Sequence, residues 1–310
     1  MYNGVLLLNK PNGITSHDAV TLVRRIIHQR RIGHTGTLDP RAEGLLVICI
    51  GRATKVVQFL SDWDKSYDAD ILLGQRSRTY DSEGIYLDQA PKLPPDMSPK
   101  ELTEFLKQFT GVIRQRVPAY SAVKVNGERL YNIARRGEEV ETPERDVEIK
   151  KLQLLDYSKP ILRIRVTCSK GTYIRTLADD IGTKLGCGGY LARLLRLSVG
   201  KFRIDDALSP EAIEQFHERG TLHKYMLPYG EVLDFPAIVV VDSFQEWVLS
   251  GKDVKVKHIT AIEGAFGIGD KIVLKDQQGD ILAVGTAQVS SSDWQTTSVD
   301  SLFKYVRVLN

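Results

Sequence analysis

The chain has 310 residues, 42% of them hydrophobic, and a formal net charge of +3. That length suits one large core, or a main domain with a small companion, and no apolar run approaches the roughly 20 residues a bilayer-spanning helix needs. Asn9, Lys10 and Pro11 interrupt the short apolar start, which argues against a signal peptide. Cys49, Cys168 and Cys187 stand at unrelated positions without CxxC spacing. They argue against a disulfide framework or structural metal, and for a reducing, cytoplasmic setting.

The elements follow in chain order. Gly4 to Asn9 reads as a strand, and Thr15-Ser16-His17-Asp18 as a capping box opening a helix whose apolar face is Ala19, Val20, Val23, Ile26 and Ile27. Leu45 to Ile50 reads as a buried strand, Ala53 to Leu60 as a short helix, and Tyr67 to Leu73 as an alternating strand. Asp88 to Ser98, rich in proline, reads as a surface connection. Ser98-Pro99-Lys100-Glu101 starts a capped helix running to about Phe109.

Strands are expected near Val147 to Leu155 and Ile161 to Cys168, and helices near Tyr173 to Leu185, Tyr190 to Leu197 and Pro210 to Arg219. The lack of a regular βαβ repeat favours an α+β class, a mixed and largely antiparallel sheet flanked by helices. A boundary is expected around Pro228 to Pro236, dividing the chain into 1–230 and 236–310. Short strands with turns at Gly264, Gly267, Gly269, Gly279 and Gly285 then suggest a small C-terminal β-barrel.

The most informative stretch is Gly33-His34-Thr35-Gly36-Thr37-Leu38-Asp39-Pro40. Asp-Pro can start a helix, but Gly44 and the following apolar strand leave little room for one. Asp39 therefore reads either as a turn residue bonding its own backbone or as a carboxylate presented to a ligand. The basic cluster Arg24, Arg25, Arg30 and Arg31 leads into this loop, and Arg114 to Arg175 carries an excess of basic residues. Next to a loop carboxylate, that charge points to a polyanionic partner such as RNA.

Several separated motifs together carry a family resemblance. GHTGTLDP followed by GLLVICIGRATK, with Leu8-Asn9-Lys10-Pro11, Asp64-Lys65-Ser66-Tyr67, Pro118-Ala119-Tyr120-Ser121-Ala122 and Gly171-Thr172-Tyr173-Ile174-Arg175, resembles the TruB-type tRNA pseudouridine-55 synthases over roughly the first 200 residues. The resemblance implies isomerisation of uridine 55 in the TΨC loop of tRNA by a monomer that needs no cofactor, metal or protein partner. It also implies a PUA-type RNA-binding module at the C-terminus.

By the same resemblance, Asp39 is the essential carboxylate, acting by attack at C1′, by attack at C6, or through a glycal. Arg175 pairs with it, and Tyr67 stacks on the target base and takes part in proton removal. His34 fills the gap left when the base is flipped out, while Tyr173 and Leu194 belong to the pocket. Lys10 supports the site or a phosphate. Lys124 and Arg129 lie on an insertion of about 118–142 that closes over the RNA as a thumb, basic residues interleaved with aromatics. Two alternatives stay open: a related synthase acting on rRNA or with a guide RNA, and an RNA-binding protein whose catalytic site is idle. Arg41-Ala42-Glu43 departs from the family, which tends to be apolar or small there.

Overall fold

A computed structural model describes residues 1–84, 91–138, 140–296 and 301–309. The start of the expected Asp88–Ser98 connection lies outside these. The first strand, β1 (Gly4–Lys10), is followed by α1 (Ser16–Ile27), β2 (Ile32–His34) and β3 (Glu43–Ile50). A 3-10 turn over Gly51–Lys55 and α2 (Val57–Leu60) replace the single helix expected there. Then come β4 (Lys65–Leu73), α3 (Pro99–Leu106), β5 (Gly111–Arg116), β6 (Lys124–Val125), β7 (Glu128–Arg129) and α4 (Leu130–Arg135). The main body closes with β8 (Glu144–Ser158), β9 (Ile161–Cys168), α5 (Ile174–Lys184), β10 (Gly189–Val199), β11 (Phe202–Arg203) and α6 (Pro210–Glu218).

Both expected capping boxes form. Thr15 accepts from the Asp18 backbone N–H while Asp18 reaches back to Thr15, and Ser98 and Glu101 do the same at α3. The main sheet runs β1-β3-β10-β4-β9-β8-β5, with β2 beside β3 and β11 beside β10. Its pairs are antiparallel except β10 with β3. The mixed, largely antiparallel α+β expectation therefore matches the main sheet.

One element was misassigned from sequence. Residues 190–197 form no helix but the middle of β10, paired to β4 on one side and β3 on the other. Leucine, alanine and arginine favour helices locally, yet this segment fills the gap between two apolar strands, and tertiary pairing overrides the preference. The helix before it needs glycine where the two meet. A Cβ on Gly182 would lie 2.2 Å from the Gly189 nitrogen, so α5 and β10 approach at backbone distance.

Two layers of side chains position the site. Beneath α5 and α3, Ala69, Ile71, Leu162, Ile164 and Val166 pack on Leu177, Ala178, Ile181 and Leu102. The other face of β4 and β9 is charged and solvated, with Asp68 bound to Arg165 through two bonds of 2.6 and 2.7 Å. Strands β1 and β3 are buried on both faces. Leu6, Leu8, Leu46 and Ile48 meet α1 and α6, whereas Val5, Leu45, Val47 and Cys49 face Phe59, Phe202 and the C-terminal region. Each such side chain contributes roughly 1.5–3 kcal/mol when fully buried.

The C-terminal region is a second sheet, β12 (Ala237–Val240), β13 (Ile259–Glu263), β14 (Lys271–Lys275), β15 (Ile281–Ala287) and β16 (Phe303–Val308), with α7 (Gln245–Leu249). Its order is β13-β12-β14-β15-β16, and among the described residues β13 and β16 do not pair to close it. The expected β-barrel is thus, in hydrogen bonding, an open five-stranded sheet. Val273, Ile281, Val284 and Leu309 join the core containing β1 and β3, so the two regions share buried surface.

Candidate active site

Asp39 ends an extended loop between β2 and β3, and that loop is tied down at nearly every residue. The Thr35 N–H donates to the Val47 carbonyl at 3.1 Å, and buried Arg196 donates to the Gly36 carbonyl at 3.1 Å. The Leu38 N–H donates to Ser16 Oγ at 2.8 Å, and that hydroxyl donates to the Leu38 carbonyl at 3.0 Å. The Gly13 N–H donates to the Pro40 carbonyl at 2.9 Å, and the Ala42 N–H closes a turn on the Asp39 carbonyl at 3.0 Å. Beyond the turn, Gly44 takes a positive φ of 102°, and a Cβ there would sit 2.4 Å from the Arg196 carbonyl. Only glycine lets β3 come that close to β10.

The Asp39 carboxylate turns away from its own backbone and toward Arg175. Arg175 Nη2 donates to Oδ1 at 3.3 Å, and Nε lies 2.9 Å from Oδ2 in an ion pair whose N–H is not aligned for a hydrogen bond. The arginine side chain is 6% exposed and the aspartate 40%. One partner is thus fixed in the protein while the other faces the cavity. Arg175 also donates to the carbonyls of Thr79 and Tyr120, both at 3.2 Å, and lies 3.6 Å from Asp81 Oδ2. It joins three segments, and two carboxylates share its charge.

A cavity of about 670 Å³ opens in front of Asp39. Tyr67, Leu194, Tyr173 and Arg175 line it with Asp39, and Tyr120, Tyr131 and Arg135 come from the 118–142 segment. Tyr67 is buried; desolvation pushes its hydroxyl above the usual tyrosine range, against the pull of Arg196, its cross-strand neighbour on β10. Tyr173 is held by the buried amide of Gln115, which accepts from the Tyr173 N–H at 2.7 Å and donates to its carbonyl at 3.0 Å. A neighbouring cleft of about 790 Å³ is lined by Trp63 and several charged side chains. Its charged side chains have partners within the protein, as in Lys201–Asp234 at 2.5 Å across the cleft and Arg165 with Asp68 beside it.

Four expected site residues lie elsewhere. Lys10 is fully buried and donates to the carbonyls of Pro11, Ile14 and Pro40 at 2.8, 2.7 and 3.3 Å. Desolvation lowers its pKa to about 8. It braces the Asp39 turn from behind and has no path to a phosphate, which corrects its assignment as a substrate contact. His34 is half-buried on β2 and outside the cavity lining, with Nδ1 buried and unpartnered; burial, and then Arg196, lower its pKa. Lys124 and Arg129 pair across the exposed β6–β7 hairpin, away from the cavity lining. The unusual Arg41 and Glu43 point outward to Glu83 and Arg193, while Ala42 is buried, so the local packing is intact.

Comparison with known proteins decides what family builds this site. Residues 24–174 match the TruB family pseudouridylate synthase N-terminal domain, 175–234 the tRNA pseudouridylate synthase B C-terminal domain, and 236–301 a PUA domain. The chain belongs to the TruB pseudouridylate synthase family. It is 43% identical to the tRNA pseudouridine synthase B of Bacillus pumilus over 76% of this chain and 77% of that one. It is also 43% identical to the Bacillus licheniformis protein of the same name, over 81% and 83%. In a crystal structure of a Cbf5-Nop10-Gar1 complex, one chain superposes with a TM-score of 0.78 at 25% identity, covering 99% of this chain and 85% of that one.

This TruB-family enzyme is thus a pseudouridine synthase, an isomerase. Residues that sequence reasoning passed over include Ser16, Asp81, Gln115 and Arg196. Ser16 lay inside a motif read only as a helix cap, and Arg196 inside the segment read as a helix. The others bond across 55 or more residues of chain, a separation that no local pattern signals.

Proposed function

We propose that this synthase converts uridine 55 in the TΨC loop of tRNA to pseudouridine, acting in the cytoplasm as a monomer without cofactor or protein partner. The observation that carries the reading is the half-exposed Asp39 carboxylate, clamped by Arg175 at the wall of a cavity lined by Tyr67, Tyr173 and Leu194. The reaction breaks the C1′–N1 bond, turns the uracil, joins C5 to C1′, and moves one proton from C5 to solvent while N1 gains one. Carbon at C1′ becomes electron-poor on the way. A fixed anion aimed there stabilises it without reorganising at the moment of reaction; if Asp39 instead attacks C6, the same fixed direction presents it to the base.

Tyr67 supplies a ring to stack on the base and a hydroxyl for proton movement. Extruding the base costs a few kcal/mol, and His34, at the head of the Asp39 loop, takes the place it leaves in the stack. Lys124 and Arg129 on their hairpin, with Arg135 at the cavity mouth, neutralise phosphates. Residues 1–230 form the catalytic unit, with 118–142 as its thumb, and 236–310 the PUA module that extends the RNA-binding surface. The test is to treat a tRNA transcript with the enzyme and map pseudouridine by carbodiimide-dependent primer-extension stops. A stop at position 55 with wild type, absent with Asp39→Asn, is expected. A stop elsewhere, or none despite tight binding, overturns the reading in favour of another RNA target or an idle site.

A further inference from the structure

Arg145 stands on β8 directly opposite Gln115 of β5, and both side chains reach Tyr173. The Gln115 amide clasps the Tyr173 backbone at its N–H and its carbonyl, while the Arg145 guanidinium carbon lies 5.5 Å from the centre of the Tyr173 ring. Gly171, two residues earlier, has a positive φ of 80°, and a Cβ there would come within 3.2 Å of Arg145 Nη1. Glycine thus lets the guanidinium lie against the turn. Gly171, Thr172 and Tyr173 all line the Asp39 cavity, so Arg145 occupies its rim, one side chain further out.

Other cations in this region already have carboxylates. Arg114 pairs with Glu144 at 2.7 Å, Lys150 with Asp64 at 2.7 Å and Lys170 with Asp62 at 2.6 Å. Among the described residues Arg145 has no hydrogen bond or ion pair; its partner is an aromatic ring. The backbone N–H groups of Gly171 and Thr172 beside it also donate to no group among the described residues. A guanidinium stays protonated in a protein, and this residue is half-buried, so it gives up part of its hydration without a carboxylate in return. The ring offsets part of that cost and leaves the N–H donors for an anion from outside.

We propose that Arg145 is the seat of one phosphodiester of the RNA strand, one of the two that flank the nucleotide entering the Asp39 cavity. Two parallel N–H groups of a guanidinium match two non-bridging phosphate oxygens, a fit that the point charge of a lysine does not give. Tyr173 serves as the spacer. Its backbone is fixed by Gln115 and its ring carries the arginine, so the seat keeps a set distance from Asp39. Arg145 binds the strand and takes no part in making or breaking bonds. This inference rests on the RNA substrate read above, and adds to it a contact outside the 118–142 segment.

The test uses the full chain and an RNA hairpin carrying the T-arm sequence, in which each phosphate flanking the target uridine is replaced in turn by a neutral methylphosphonate. Single-turnover rates measured against enzyme concentration give the half-saturating concentration and the limiting rate together. On unmodified RNA, Arg145→Met should raise half-saturation about tenfold and lower its salt dependence by about one phosphate contact. The limiting rate should change by less than about threefold. A methylphosphonate at one flanking position should cost wild type about tenfold in half-saturation and Arg145→Met less than about twofold, because the variant has already lost that contact.

Equal losses for wild type and Arg145→Met at both flanking positions would overturn the proposal and leave Arg145 as packing for Tyr173. So would a variant whose limiting rate falls while its half-saturation and salt dependence hold. If Arg145→Met does not fold, Arg145→Lys takes its place in the same comparison, with a smaller loss expected because the charge remains. A wild type that tolerates both methylphosphonates contradicts the seat without any variant. If wild type modifies the hairpin while the comparison fails, the seat alone is refuted. If wild type neither binds nor modifies it, the function proposed above is refuted and the seat with it.

Discussion

Asp39 and Arg175 show how a single ion pair can be both structural and available. The arginine is enclosed and bonded to Thr79 and Tyr120, while the aspartate keeps two-fifths of its side chain exposed. Arg175→Ala frees the carboxylate and opens the junction of three segments, and single-turnover measurement should show a loss of about 100-fold or more. Arg175→Lys should recover little of it, since a point charge cannot bond Asp39, Thr79 and Tyr120 together. Near-normal rates in both variants would remove the arginine from the site. Ser16 tests the loop's anchorage. Its hydroxyl serves both the N–H and the carbonyl of Leu38 in a buried setting, so Ser16→Ala should cost about 1–3 kcal/mol in urea unfolding and slow turnover as well. A stability loss with unchanged turnover would mean that the loop holds its shape without this bond.

At the scale of elements, α5 carries a second pair of carboxylates away from the cavity. Asp180 has its pKa raised to about 6, first by burial and then by the neighbouring Asp179, partly offset by Arg116. A carboxyl whose folded pKa lies above the unfolded value holds more protons folded than unfolded, so stability from this group falls as pH rises through about 4 to 6. Asp180→Asn should therefore stabilise the protein at pH 7.5 by about 1 kcal/mol, after allowing for solvent screening. The gain should shrink towards zero near pH 4 in urea midpoints; a gain that grows on acidification contradicts the assignment. Elements with local punctuation were legible in sequence: the capping boxes at Thr15 and Ser98, the alternation of β4, and the strand after Gly44. Strand β10 was not, because its leucines and arginines favour a helix until β3 and β4 surround them. The misreading also hid Arg196, whose partners become visible only when residue 196 is placed opposite Tyr67 and Gly44.

At the scale of the whole molecule, the arrangement of charge matters more than its total. In the 118–142 segment the adjacent arginines differ. Arg136 is engaged by Glu128 at 2.5 Å and Glu138 at 2.6 Å, whereas Arg135 lines the cavity with its guanidinium 5.6 Å from the Tyr131 ring centre. Arg135→Ala should weaken tRNA binding and lower the salt dependence by about one phosphate contact; Arg136→Ala should leave that slope unchanged. Equal slopes for the two variants would contradict the distinction. Trimming the segment must spare Tyr120, whose carbonyl belongs to the Arg175 junction.

The central claim is that a carboxylate held by Arg175 isomerises a uridine, and tritium release from a tRNA transcript labelled at C5 of uridine tests it most directly. Wild type should release one tritium per tRNA, and none when uridine 55 is replaced. Asp39→Asn should bind the same tRNA yet release only background. Release by Asp39→Asn at the wild-type rate, or tight binding by wild type without release, would contradict the account.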